Sequence, residues 1–166
     1  VEAAAAADRY LRERPAAPVR SFAELVASRA FTRWAAVGLE RARAFDAESA
    51  AGRAAAAAAA AARRELQART DRLFQREGLA AVAYPSVQRP AFPLGVEQSG
   101  VFSRWSENTG RPSVGVPMGL VEPSDGGYRL PCSLELLGAE RGDRALLGVA
   151  GAVEAAIAPL TGAAGR

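Results

Sequence analysis

The sequence contains no histidine and no lysine, so all 21 of its basic residues are arginine. Histidine is the usual proton shuttle near neutral pH, and a lysine whose pKa is lowered by burial is its commonest substitute. Without either residue, no serine in this chain has its usual activating base. We therefore expect no catalytic residue within these 166 residues.

Cysteine is almost absent, with Cys132 the single example. One cysteine excludes an internal disulfide and makes a reducing, cytoplasmic compartment the default expectation. One cysteine without any histidine also leaves only carboxylates as common zinc ligands, so we expect no metal site and no cofactor. We interpret Cys132 as a small buried residue of a strand, in preference to a reactive thiol.

Long hydrophobic runs are missing as well. A membrane span needs about 20 strongly apolar residues, whereas the alanine runs at 3–7 and 54–62 are short and flanked by charged residues. The net charge of +3 comes from arginines that alternate with acidic residues instead of forming a basic block. We therefore expect neither a membrane nor a nucleic-acid partner.

The first part of the chain is predicted to be helical over residues 1–45. Ser21 and Glu24 have the spacing of a capping box, which predicts a helix over 22–30. A long helix is predicted over 46–77, because alanine has the highest helix propensity and Gly78 stands where a left-handed C-cap belongs.

The pattern then changes to strands, which we predict near residues 79–84, 113–118 and 130–137. Asp-Gly-Gly between the second and third supplies the positive φ values that a reversal needs, so these two strands are predicted to form an antiparallel hairpin. A closing helix is predicted over 143–158. Its apolar stripe comprises Leu146, Leu147, Ala150, Val153 and Ile157, and Pro159 is expected to end it.

Three strands with apolar residues on both faces are too few to bury themselves. The chain also begins as though within a helix and has no start methionine. We interpret both features as signs that an upstream part is missing.

Several blocks of the sequence resemble the end of the amidase-signature family and follow one another in the same order as in that family. The family includes the A subunit of glutamyl-tRNA amidotransferase and fatty acid amide hydrolase. Tyr84, in the first of the strand blocks, is larger than the threonine or alanine that the family carries, which bears on the shape of the substrate pocket. The matching blocks are 14–27, LAAVAYPSVQRPAFP at 79–93, TGRPSVGVPMG at 109–119, LPCSLELLG at 130–138, and 141–154.

The resemblance implies an α/β fold in which this chain is the C-terminal portion of an α/β/α sandwich with a mixed sheet. Residues 1–166 are then one C-terminal part of an amidase domain, with a helical segment at 1–45 followed at 46–166 by the long helix, the strands and the closing helix. The family uses a serine nucleophile, a second serine and a lysine base, and none of that set is present here. The resemblance therefore implies an amidase whose catalytic triad lies outside this chain.

The segment before the hairpin supplies the candidate substrate-binding residues, which are Phe102, Trp105 and Asn108. Two aromatic rings in an irregular, glycine-flanked segment are costly to expose, so they are candidates for the wall of a substrate channel. The alternative is that both rings fill the core.

Two hypotheses about function remain open. The first is that the chain is a fragment or a separate chain of an amide hydrolase, whose partners are the missing catalytic part or a second polypeptide and a small amide substrate. The second is a non-catalytic structural or regulatory module derived from an amidase. Assembly into a homo-oligomer is also left open.

Overall fold

The fold is taken from a computed structural model that describes residues 3–93, 95–96, 104–122 and 127–161, apart from the side chains of Trp34, Leu160 and Thr161. The chain divides into two compact units, 1–62 and 63–166. They are described separately.

The first unit contains three helices, α1 (Ala3–Arg12), α2 (Phe22–Ser28) and α3 (Arg33–Ala44). Half of the predicted capping box is present at α2, where the amide of Glu24 donates to Ser21 Oγ at 3.1 Å. The Glu24 carboxylate accepts from the Arg20 amide at 2.7 Å instead of the Ser21 amide. The helix ends two residues earlier than predicted, because Arg29 adopts a left-handed conformation with φ 52° and donates its amide to the Val26 carbonyl.

The long helix α4 (Ala50–Glu77) begins four residues later than predicted. Asp46 Oδ1 accepts from the amides of Glu48 and Ser49, which holds 46–49 as a turn. Ser49 Oγ then caps the helix by accepting from the Gly52 amide at 2.9 Å. The predicted C-cap is confirmed, because Gly78 has φ 59°.

The second unit contains β1 (Ala81–Pro85), the short helix α5 (Arg104–Thr109), β2 (Ser113–Val121), β3 (Leu130–Gly138) and α6 (Asp143–Thr161). The strand order is β1-β3-β2, and the predicted β2–β3 hairpin is confirmed. The helices and the sheet confirm the predicted α/β class. A parallel pair, as a mixed sheet requires, is not found among the described strands, because β3 lies between β1 and β2 and runs opposite to both.

A hydrophobic core lies between α6 and one face of this sheet. Its buried residues are Val116, Leu136, Leu146 and Ala150. Burial of each large side chain contributes roughly 1.5–3 kcal/mol. Partly buried residues packed against this core are Ala81, Val114, Leu134, Val149, Val153 and Ile157.

Two details of α6 differ from the prediction. Leu147 is 63% exposed, because it is rotated by about 100° from Leu146 on a helix and so leaves the buried stripe. Pro159 lies inside the helix. A proline near the end removes a single backbone donor, so the last turn continues past it. No helix in the described ranges is long and apolar enough to cross a bilayer.

Candidate functional site

The sheet face opposite α6 carries a polar pair at its centre. The antiparallel register places Tyr84 of β1 and Gly115 of β2 on either side of Glu135 in β3. The Tyr84 hydroxyl donates to Glu135 Oε1 at 2.8 Å. Glu135 is only 6% exposed, so this face presents a carboxylate that is fixed by a phenol and largely removed from water.

Trp105 covers part of the same face. Its ring contacts that of Tyr84, with 5.6 Å between the ring centroids and 33° between the planes. The indole Nε1 donates to Thr70 Oγ1 at 3.0 Å, and that hydroxyl donates to the Leu66 carbonyl at 2.8 Å. Trp105 is therefore held between β1 and α4 by a ring contact and a hydrogen bond.

The structure separates the three residues that the sequence singled out. Trp105 joins the Tyr84 face. Asn108 lies one turn further along α5, and its Nδ2 donates to the Arg104 carbonyl at 2.6 Å, so its amide is engaged within its own helix. Phe102 lies outside the described residues. The role of these three residues in substrate binding stays a prediction.

Tyr84 has a perturbed ionisation. Burial raises the pKa of its phenol, and the hydrogen bond to Glu135 and the charge of that carboxylate raise the same pKa further. Tyr84 is therefore a neutral hydrogen-bond donor throughout the physiological pH range. Its hydroxyl orients the carboxylate by donating to Oε1.

Two serines extend the polar row along the sheet. Ser86 Oγ and Ser133 Oγ lie 2.7 Å apart, and the Ser86 amide and hydroxyl both reach the Ser133 carbonyl. These hydroxyls are therefore engaged with each other and with the backbone. Neither hydroxyl has a lysine or histidine beside it, because the sequence contains neither residue.

Arg111, which the sequence analysis did not single out, anchors the loop that follows α5. Its guanidinium is paired with Asp71, lies 4.9 Å from the centre of the Phe74 ring, and donates to the Gly138 carbonyl at 3.4 Å. The Ser106 hydroxyl donates to the Arg111 carbonyl at 2.8 Å. Arg111 thus ties α4, α5 and the end of β3 together.

A polar cavity of about 320 Å³ adjoins this ion pair. The volume is at the small end of the range for small-molecule sites. The Asp71 carboxylate and the Arg111 guanidinium in its wall already bind each other. Neither of these two charges is therefore free to bind a ligand. Its lining comprises Gln67, Asp71, Thr109, Gly110, Arg111 and Glu140.

The missed residues carried a signal in the sequence. Glu135 is the one acidic residue within the strand LPCSLELLG, and Arg111 stands between a glycine and a proline just before a strand. A charged residue inside an apolar strand is a candidate for a buried, paired group. In the described part of the chain, no group of three or more cysteine and acidic side chains could hold a metal ion.

Comparison with protein-family models finds no match, and comparison with curated proteins finds none either. Solved structures do match. The crystal structure of a protein named PAM12A is 27% identical, with a TM-score of 0.67, and the native peptide amidase from Stenotrophomonas maltophilia is 24% identical, with a TM-score of 0.60. Each match covers 93% of this chain but 31% of the other. The chain therefore has the fold of about a third of a peptide amidase.

Proposed function

We propose that the chain is the C-terminal structural and substrate-pocket part of an amidase that hydrolyses carboxamide C–N bonds. The observation that carries the proposal is the match of 93% of the chain to 31% of an amidase structure. The order of helix, strand, hairpin and closing helix, together with the five sequence blocks that resemble the amidase-signature family, supports the C-terminal placement.

The chemistry is assigned to residues outside this chain. In the proposed reaction a neutral lysine takes the proton of a serine nucleophile through a bridging serine, and backbone donors stabilise the charge that develops on the carbonyl oxygen. Within this chain the serine pair is Ser86 and Ser133, which bond to each other without a base. The chain therefore supplies the scaffold and part of the pocket wall.

Apolar side chains at the end of β2 support a contact with the rest of the enzyme. Met118, Leu120 and Val121 are 41%, 47% and 38% exposed. Exposed apolar residues on an outer strand favour association through that edge. We propose that the missing catalytic part covers this end of the strand, whether it is an upstream region or a second polypeptide.

The first experiment is expression of this chain with and without the catalytic part. Co-expression is expected to give a soluble complex that hydrolyses aryl amides, and expression of the chain alone is expected to give an aggregated product without activity. The intact mass of the native protein measures directly whether the two parts are one polypeptide.

Two results would contradict the proposal. A monodisperse monomer of 166 residues that melts cooperatively would favour the independent, non-catalytic module. Turnover of an aryl amide by the purified chain, abolished by Ser86→Ala or Ser133→Ala, would place the nucleophile here. A matched control for those variants is Ser28→Ala, whose hydroxyl bonds within the exposed end of α2.

A further inference from the structure

The carboxylate of Glu135 is buried without a positive partner among the described residues. Its one hydrogen bond is from the neutral Tyr84 hydroxyl, and the buried guanidinium of Arg111 is paired with Asp71 instead. A carboxylate that is removed from water without a counter-charge is unfavourable unless something else supplies the charge. The described side chains therefore leave the charge of this carboxylate unbalanced.

The second carboxylate oxygen of Glu135 is not used by any described side chain. Tyr84 donates to Oε1, and no hydrogen bond to Oε2 is found among the described residues. The residue as a whole is 6% exposed. A cationic group that reaches Oε2 would therefore meet an acceptor that is held in place by Tyr84.

The surroundings leave room for such a group on one side and provide aromatic rings on the other. Gly115 lies directly opposite Glu135 on β2, is exposed, and has no side chain to cover the carboxylate. On the other side lies Tyr84, whose ring contacts that of Trp105. A carboxylate beside aromatic rings is the combination that binds organic cations, through a charge-assisted hydrogen bond and the ring faces.

We propose that Glu135, flanked by Tyr84 and Trp105 and approached over Gly115, binds an ammonium or guanidinium group of the amide substrate. This inference rests on the proposed amidase function, and it specifies a substrate class, namely amides that carry a positive charge. Tyr84 is a positioning residue, because its hydroxyl holds Oε1 and leaves Oε2 for the cation.

Binding is tested on the full-length native protein, with benzylamine as the cationic probe and benzyl alcohol as its neutral counterpart. Glu135→Gln keeps the size of the side chain and an acceptor for Tyr84, while it removes the charge. Calorimetry is expected to show benzylamine binding that weakens about tenfold or more in this variant, as the loss of a charge-assisted hydrogen bond implies. Glu107→Gln, at an exposed position of α5, is the matched control and is expected to bind like the wild type.

A second measurement uses the ratio of kcat/KM for N-acetyl-lysinamide and N-acetyl-norleucinamide, of which only the first carries a positive charge. The ratio is expected to fall about tenfold in Glu135→Gln and to stay unchanged in Glu107→Gln. If neither amide is hydrolysed by the wild type, the proposed function fails while the benzylamine measurement still decides the site. If amides are hydrolysed but neither benzylamine affinity nor the ratio depends on Glu135, the inference is wrong and the function stands.

The alternative is that Glu135 pairs with a basic side chain from the rest of the protein, which has the same chemistry as a cationic substrate. In that case the wild type binds no benzylamine and shows no preference for N-acetyl-lysinamide. The Glu135→Gln variant then has a lower melting temperature than the wild type. That result overturns the substrate assignment.

Discussion

The buried ion pair between Arg111 and Asp71 predicts an asymmetry between two substitutions. The Arg111 side chain is 4% exposed, whereas that of Asp71 is 44% exposed. Asp71→Ala leaves a buried guanidinium without its counter-charge, which costs about 3 kcal/mol at the lower end of the range for a broken buried pair. The lower end applies because the Gly138 carbonyl and the Phe74 ring still contact the guanidinium.

Arg111→Met has a smaller expected cost. Methionine keeps an apolar stem against Phe74, and the carboxylate left behind at Asp71 is half-exposed and can be solvated. The free energy of unfolding is then expected to fall only by the contribution of the lost hydrogen bonds, about 1–2 kcal/mol. Removing the cation is therefore expected to be less harmful than removing the anion.

Arg69→Met is the matched control, because Arg69 pairs with Glu65 at 3.9 Å on an exposed face of the same helix. An exposed pair of this kind contributes roughly 0.2–1 kcal/mol. The free energy of unfolding is measured by urea denaturation of the full-length protein, followed by tryptophan fluorescence. The reasoning is refuted if Asp71→Ala does not lower the free energy of unfolding by more than both Arg111→Met and Arg69→Met do.

Three further predictions follow from single positions. Gly52→Ala is expected to lower the melting temperature, because its Cβ would clash with the Asp46 carbonyl oxygen. Gly38→Ala, which has open space around its Cβ, is expected to leave the melting temperature unchanged or to raise it; equal effects of the two substitutions would contradict this. Stability is expected to fall as pH rises above 10.0, because the folded state retains the Tyr84 proton that the unfolded chain releases; Tyr84→Phe should remove that part of the loss in urea denaturation on either side of this pH. Trp105→Ala is expected to change the kcat/KM ratio of small and bulky amides; a lower melting temperature with an unchanged ratio would assign the ring to the core.

Much of the fold follows from local sequence signals. The Ser21 cap of α2 and the left-handed Gly78 depend on a few neighbouring residues, so the sequence predicts them correctly. The start of α4 was predicted too early because alanine propensity extends across the Asp46 turn. Side-chain hydrogen bonds from Asp46 and Ser49 compete with the helix there, and propensity alone does not weigh that competition.

The candidate site could be predicted less fully from the sequence, because its residues come together only when the sheet forms. Tyr84 and Glu135 are 51 positions apart, and their hydrogen bond depends on the antiparallel register of β1 and β3. The sequence indicates Trp105 because an aromatic ring is costly to expose to water. Its contacts with Thr70 and Tyr84 depend on how α5 packs, which the sequence alone does not give. Register and packing are properties of the whole sheet, and a one-residue shift would move every side chain to the other face.

The strand order has a consequence for synthesis of the protein on the ribosome. The central strand β3 is the last to be made, and β1 pairs with it at sequence separations of 49 to 57 residues. At roughly 5–20 residues per second, β1 waits several seconds without a partner, whereas β2 pairs almost at once across its short loop. Nascent β1 is therefore the segment that chaperones are expected to protect. Slow codons placed between β1 and β3 would lengthen that exposure and lower the soluble yield.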